Sequence, residues 1–90
     1  MDRVSALGLV IAEHRRVLGL TQPQLAERAS ISEASVSLVE RGETRVAVDT
    51  LFAIADVLGV AASELLSRAE ADASRRELVN RRPKKRGADR

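Results

Sequence analysis

The sequence predicts an all-α fold: a five-helix bundle followed by a charged C-terminal extension. Three observations predict it. Apolar residues recur at helical spacing in successive short segments. Cap residues and glycines fall between those segments. The apolar content is mostly Ala, Leu and Val, with one Phe and no Trp or Tyr, so the aromatic residues that favour strands are nearly missing.

The first helix is expected over roughly Ser5–Leu18. Leu7, Ile11, His14 and Leu18 fall at i, i+4, i+7 and i+11 on one face, and Gly19 stops the helix. Leu9 and Val10 point away from that face, which makes this helix more apolar than a single core requires. The second helix is expected over Gln22–Ala29. Thr21 is its N-cap, Gln24 completes a Thr-x-x-Gln capping box, and Pro23 sits in the first turn, where its missing N–H costs nothing. The third is expected over Glu33–Arg41, with Ser32 as the capping oxygen and Gly42 at its end. The turn between the second and third is Ser30–Ser32.

After a loop at Glu43–Val48, the fourth helix is expected over roughly Val48–Leu58, burying Leu51, Phe52, Ile54, Ala55 and Leu58 before Gly59 stops it. The fifth starts near Ala62 and is expected to bury Leu65 and Leu66. Beyond Ser67 the apolar signal thins. Ala69, Ala71 and Ala73 sustain helix propensity, but only Leu78 and Val79 could anchor the segment. From Asn80 the run RRPKKRGADR is charged and broken by Pro83 and Gly87, and reads as disordered in isolation. The division is therefore a helical domain over residues 1–68 and an extension with a basic tail over 69–90.

Ninety residues make one small domain, whose core is marginal enough for oligomerisation to help. The formal net charge of +2 hides an asymmetry: residues 1–68 carry seven basic and nine acidic groups, residues 69–90 eight basic and four acidic. The high isoelectric point belongs to the tail. No cysteine is present, which excludes disulfides and thiolate metal sites. The lone histidine, His14, lies on an apolar face and reads as a core-edge residue rather than a ligand. No phosphate-binding Gly-rich loop and no Ser/His/Asp arrangement is present, so the chain does not read as an enzyme, and no cofactor or metal is expected. With no membrane-spanning apolar run and no signal peptide, a cytoplasmic location is expected.

The stretch Gln22–Arg41 carries the chemistry. Leu25, Ala29, Ile31, Val36 and Val39 fall where two crossed helices would share a core, and Ala26 is small where they must approach closely. That is the pattern of a helix-turn-helix, whose second helix can lie in the DNA major groove.

Residues 7–66 resemble the Cro/phage-repressor (XRE) helix-turn-helix family. The resemblance rests on Leu7-Gly8, Ile11, Arg15, Gly19-Leu20-Thr21-Gln22, Leu25-Ala26, Val36-Ser37, Val39-Glu40-Arg41-Gly42, Thr50-Leu51, Ile54-Ala55 and Leu58-Gly59-Val60 with Glu64-Leu65-Leu66. It implies a lambda-repressor-like five-helix bundle that binds an inverted-repeat operator in double-stranded DNA as a homodimer, commonly to repress transcription. By position, Gln22 matches the glutamine that caps onto a DNA phosphate. Glu33, Ala34 and Leu38 match the positions that read base edges, flanked by Ser35 and Ser37, with Ser32 at the cap in the same candidate set. Arg41, Thr44 and Arg45 match backbone contacts, and Arg15 and Glu40 match an ion pair between the first and third helices.

The chain departs from the family pattern at three places. Ser30 stands where glycine is usual in the turn, Val46-Ala47 replaces a proline and small polar cap before the fourth helix, and the reading positions lack Arg, Lys, Gln and Asn. Leu38 is equally compatible with a base contact and a protein contact, and the surplus apolar residues Leu9 and Val10 with the Leu65/Leu66 end are compatible with a dimer seam, a protein partner or burial under the tail segment. Two other readings follow: an antitoxin of the HigA type that binds operator and toxin, and an interaction module that has given up DNA. The tail RRPKKR reads either as a solvated end or as an arm that follows phosphates.

Overall fold

Five helices follow in order: α1 Arg3–Val17, α2 Gln22–Ala29, α3 Glu33–Glu40, α4 Val48–Leu58 and α5 Ala62–Ala88. The structure is a computed structural model that describes the backbone of residues 2–88 and the side chains of residues 2–75. α1 packs against α3 and α5, α2 against α3 and α4, and α4 against α5. Among the described residues no single helix is long and apolar enough to cross a membrane.

α1 begins two residues earlier than its apolar periodicity indicates, because Asp2 caps it. The Ser5 backbone N–H donates to Asp2 Oδ1 at 2.7 Å. That bond holds the Asp2 carboxyl below its ordinary value, so the cap acts above the usual aspartate range and is lost as acid protonates it. The inward stripe of α1 is broad: Ala6, Leu7, Val10, Ile11 and Ala12 are all buried. This corrects the expected face. Val10 is in the core because it stands three residues from Leu7 and four from His14, on the same helical stripe, and Leu18 is 51% exposed because it lies past the last turn, where the chain leaves the helix. His14 is half-buried, with Nδ1 2.9 Å from the Val10 carbonyl oxygen.

Two further burial expectations are corrected. α4 buries Leu51, Ile54, Ala55 and Leu58, a narrow i, i+3, i+4, i+7 stripe. Phe52 is one residue, about 100°, around the helix from Leu51, and it is 57% exposed. α5 meets the core through Leu65, Ala69 and Ala73, while Leu66, one residue around from Leu65, is 43% exposed. A surface seam built from Leu9, Val10, Leu65 and Leu66 therefore does not exist as such, since Val10 and Leu65 are fully buried.

The helix ends follow their cap chemistry. Ser30 ends α2 in the left-handed conformation, at φ 60°, and the Ile31 N–H donates to the Ala26 carbonyl at 3.0 Å. α4 has no side-chain cap, since Ala47 offers no oxygen. Where the sequence predicts the helix giving way at Asn80, the backbone of α5 continues to Ala88. Residues 69–82 are rich in Ala, Glu and Arg, which favour helix without needing apolar anchors. The side chains of Leu78, Val79 and the run RRPKKR lie outside the described residues.

The crossing of α1 over α3 is fixed at two points. At Gly8 the backbones touch: a Cβ there would lie 2.3 Å from the Val39 carbonyl oxygen and 2.7 Å from that of Glu40. Two turns along the same face, Arg15 Nε donates to Glu40 Oε2 at 2.7 Å and Nη2 to Oε1 at 3.0 Å, a bidentate pair buried on both sides. Arg15 Nη1 also donates to the Leu20 carbonyl at 2.7 Å, which ties in the turn before α2. The hydrogen bonds to Glu40 raise the Arg15 pKa, so the guanidinium stays charged.

Urea unfolding tests these contacts. Gly8→Ala is expected to lose about 1–3 kcal/mol by overpacking against backbone that cannot move aside. Ser30→Gly is expected to gain about 1 kcal/mol by relieving the left-handed turn. Glu40→Ala is expected to lose about 3–5 kcal/mol, because it strands a buried guanidinium.

Candidate nucleic-acid interface

α2 and α3 form a crossed pair joined by the turn Ser30–Ser32, and α3 presents two faces. Val36, Val39 and Glu40 turn inward. Ala34, Ser37, Leu38 and Arg41 recur at i, i+3, i+4 and i+7, which places them together on the other face. Ala34 and Arg41 are exposed there; Ser37 and Leu38 are half-buried.

The start of α3 is built by serines. The Ser35 backbone N–H donates to Ser32 Oγ at 3.0 Å, and the two hydroxyls are 2.9 Å apart. Ser32 and Glu33 are exposed and Ser35 is half-buried, so of the candidate hydroxyls these two are already engaged with each other. At the far end, Arg41 Nε donates to the Ser37 carbonyl at 3.3 Å, and its Nη2 lies 3.6 Å from Glu43 Oε1. That ion pair is open to solvent on both sides and restrains Arg41 little. Thr44 is half-buried and Arg45 exposed; they line a shallow concavity with Asp2, Val4, Gly42 and Glu43.

Gln22 opens α2 beside the Thr21–Gln24 capping box, in which Gln24 N–H donates to Thr21 Oγ1 at 3.2 Å and Thr21 N–H to Gln24 Oε1 at 2.9 Å. The Gln22 side chain is half-buried, and its Nε2 donates to Glu40 Oε1 at 2.9 Å. Position in the sequence assigns Gln22 and Glu40 to separate tasks, whereas the fold joins them. The residues are 18 apart, and no periodicity reports a contact between one helix's first residue and another's last.

The charges around this surface nearly cancel. Arg41 and Arg45 stand against Glu33 and Glu43, all exposed. What α3 displays at its centre is therefore small, hydroxylic or apolar: Ala34, Ser37 and Leu38.

Residues 11–65 match the helix-turn-helix family HTH_3. An HTH-type transcriptional regulator of Sinorhizobium fredii, y4dJ, is 37% identical over 67 residues, covering 74% of this chain and 87% of that protein. Among solved structures, the clp gene regulator ClgR from Corynebacterium glutamicum superposes with a TM-score of 0.78 at 26% identity, covering 89% of both chains. The restriction-modification controller protein C.AhdI from Aeromonas hydrophila superposes with a TM-score of 0.68 at 29% identity, covering 69% of this chain and 94% of that one. With the crossed α2–α3 pair and its outward face in place, these matches make the assignment plain: the chain belongs to the XRE-type helix-turn-helix (HTH_3) family of DNA-binding transcriptional regulators.

Proposed function

We propose that this protein is a homodimeric repressor that binds an inverted-repeat operator with α3 in the major groove. The observation that carries the reading is the outward face of α3. Ala34, Ser37, Leu38 and Arg41 are displayed together, while Val36, Val39 and Glu40 hold the helix to the body. Ala34 and Leu38 offer methyl groups to thymine, and Glu33 offers an acceptor to a cytosine amino group. Arg41, Thr44, Arg45 and Gln22 surround them as phosphate contacts, with Ser32, Ser35 and Ser37 filling the space between.

Self-association is supported by the exposed apolar side chains of the small body, among them Val17, Val48 and Phe52. A two-fold pair would set its two α3 helices about 34 Å apart, one turn of duplex. Repression would follow from occupying promoter DNA.

Selection of bound duplexes from a random library with the full chain is expected to recover an inverted repeat. Across that duplex and its single-base variants Arg41→Ala is expected to weaken binding by a similar factor for all sequences, whereas Leu38→Ala changes the preference at one base pair. A motif unaltered by Leu38→Ala would remove Leu38 from the base-reading set. The absence of any enriched motif from a folded, helical protein would overturn the operator reading.

A further inference from the structure

Glu40 is engaged beyond what an ion pair requires. Its Oε2 accepts from Arg15 Nε at 2.7 Å, and its Oε1 accepts from both Arg15 Nη2 at 3.0 Å and Gln22 Nε2 at 2.9 Å. A carboxylate only accepts, so it decides which end of the Gln22 amide faces it: the NH2 end. An amide nitrogen carries two hydrogens, and Glu40 takes one. Gln22 is half-buried at the first position of α2, which leaves the second hydrogen open to an acceptor from outside.

We propose that Glu40 is a positioning residue for DNA binding: it pins the Gln22 amide nitrogen so that its remaining N–H meets a phosphate oxygen. This rests on the DNA-binding reading above. Arg15 makes the arrangement compatible with an anionic ligand. A lone carboxylate this close to a phosphate would repel it, but here the charge is matched by a guanidinium that also holds the carboxylate still. One group thus serves both α1–α3 packing and the aim of Gln22.

The test is a double-mutant cycle with the full chain on the selected duplex, using Gln22→Ala, Glu40→Gln and the pair. Glu40→Gln is expected to weaken binding about tenfold in the parent, the worth of one charge-assisted hydrogen bond, and not at all in the Gln22→Ala background. Glu40→Asp keeps the negative charge but withdraws the carboxylate by one methylene from both Gln22 and Arg15, and it is expected to weaken binding in the same coupled way. Equal weakening in both backgrounds would overturn the proposal while leaving Gln22 as a contact. If Gln22→Ala leaves affinity unchanged while Arg41→Ala lowers it, Gln22 is no phosphate contact and the proposal falls with that assignment.

Glu40 variants risk unfolding, so the unaltered chain provides a second measurement. By side-chain NMR, one Gln22 amide proton is expected at a hydrogen-bonded, downfield shift in the free protein and both in the complex. Two protons at ordinary solvated-amide shifts in the free protein would overturn the proposal.

Discussion

The crossing of α1 over the C-terminal end of α3 is the constraint from which the rest of the structure follows. It is made twice on one face of α1, by backbone contact at Gly8 and by the buried ion pair at Arg15. The two fixings do different things. Gly8 sets how close the helices come, because any side chain there would meet the carbonyls of Val39 and Glu40. Arg15 sets the register, because a bidentate guanidinium–carboxylate pair is satisfied in few geometries. A buried pair of this kind contributes little net stability compared with apolar residues of the same size. What it supplies is a single arrangement of α3 relative to α1, and through the Leu20 carbonyl the path of the chain into α2.

α2 and α3 inherit that arrangement. Their joint core of Leu25, Ala26, Ala29, Val36 and Val39 is small, and both helices are only eight residues long, too short to persist on their own. Their stability comes from caps and from the body behind them. Thr21 and Ser32 secure the two N-termini, and Ser30 accepts a left-handed backbone so that the turn stays tight. The outward face of α3 is therefore displayed on a rigid support, although it contributes little to that support.

Much of this was legible in the sequence. Capping residues and glycines located α2 and α3 at or within a residue of their ends, and Gly59 located the end of α4, because cap chemistry is local. Which face of a helix is buried was less legible where the helix has two neighbours or a narrow contact. Val10 stands at i+3 from Leu7, on the stripe itself, whereas Ala6 and Ala12 are in the core because α1 is flanked by α3 and α5, a fact of topology that a single apolar stripe does not contain. Phe52 and Leu66 were misplaced for the opposite reason: each is one residue away from a narrow buried stripe, and hydrophobicity alone does not distinguish neighbours about 100° apart. For the interface, the order of residues along α3 indicated which side chains share its outer face. It carried no trace of the bond between Gln22 and Glu40, which depends on two helix ends meeting in space.

The charge distribution bears on how such a surface could hold DNA. The first 68 residues carry more acidic than basic groups, and the surface around α3 sets two arginines against two glutamates. Phosphate attraction, which supplies most non-specific affinity, is therefore weak for this body. In the proposed reading each half-site is held mainly by a few directional contacts and by apolar packing against base edges, and a single half-site would be weakly bound. Linking two half-sites makes the second contact intramolecular, multiplying affinity without any added cation. In that proposal a nearly neutral reading head belongs to a two-fold pair that binds tightly only when both halves engage, and specificity follows because either half alone falls short.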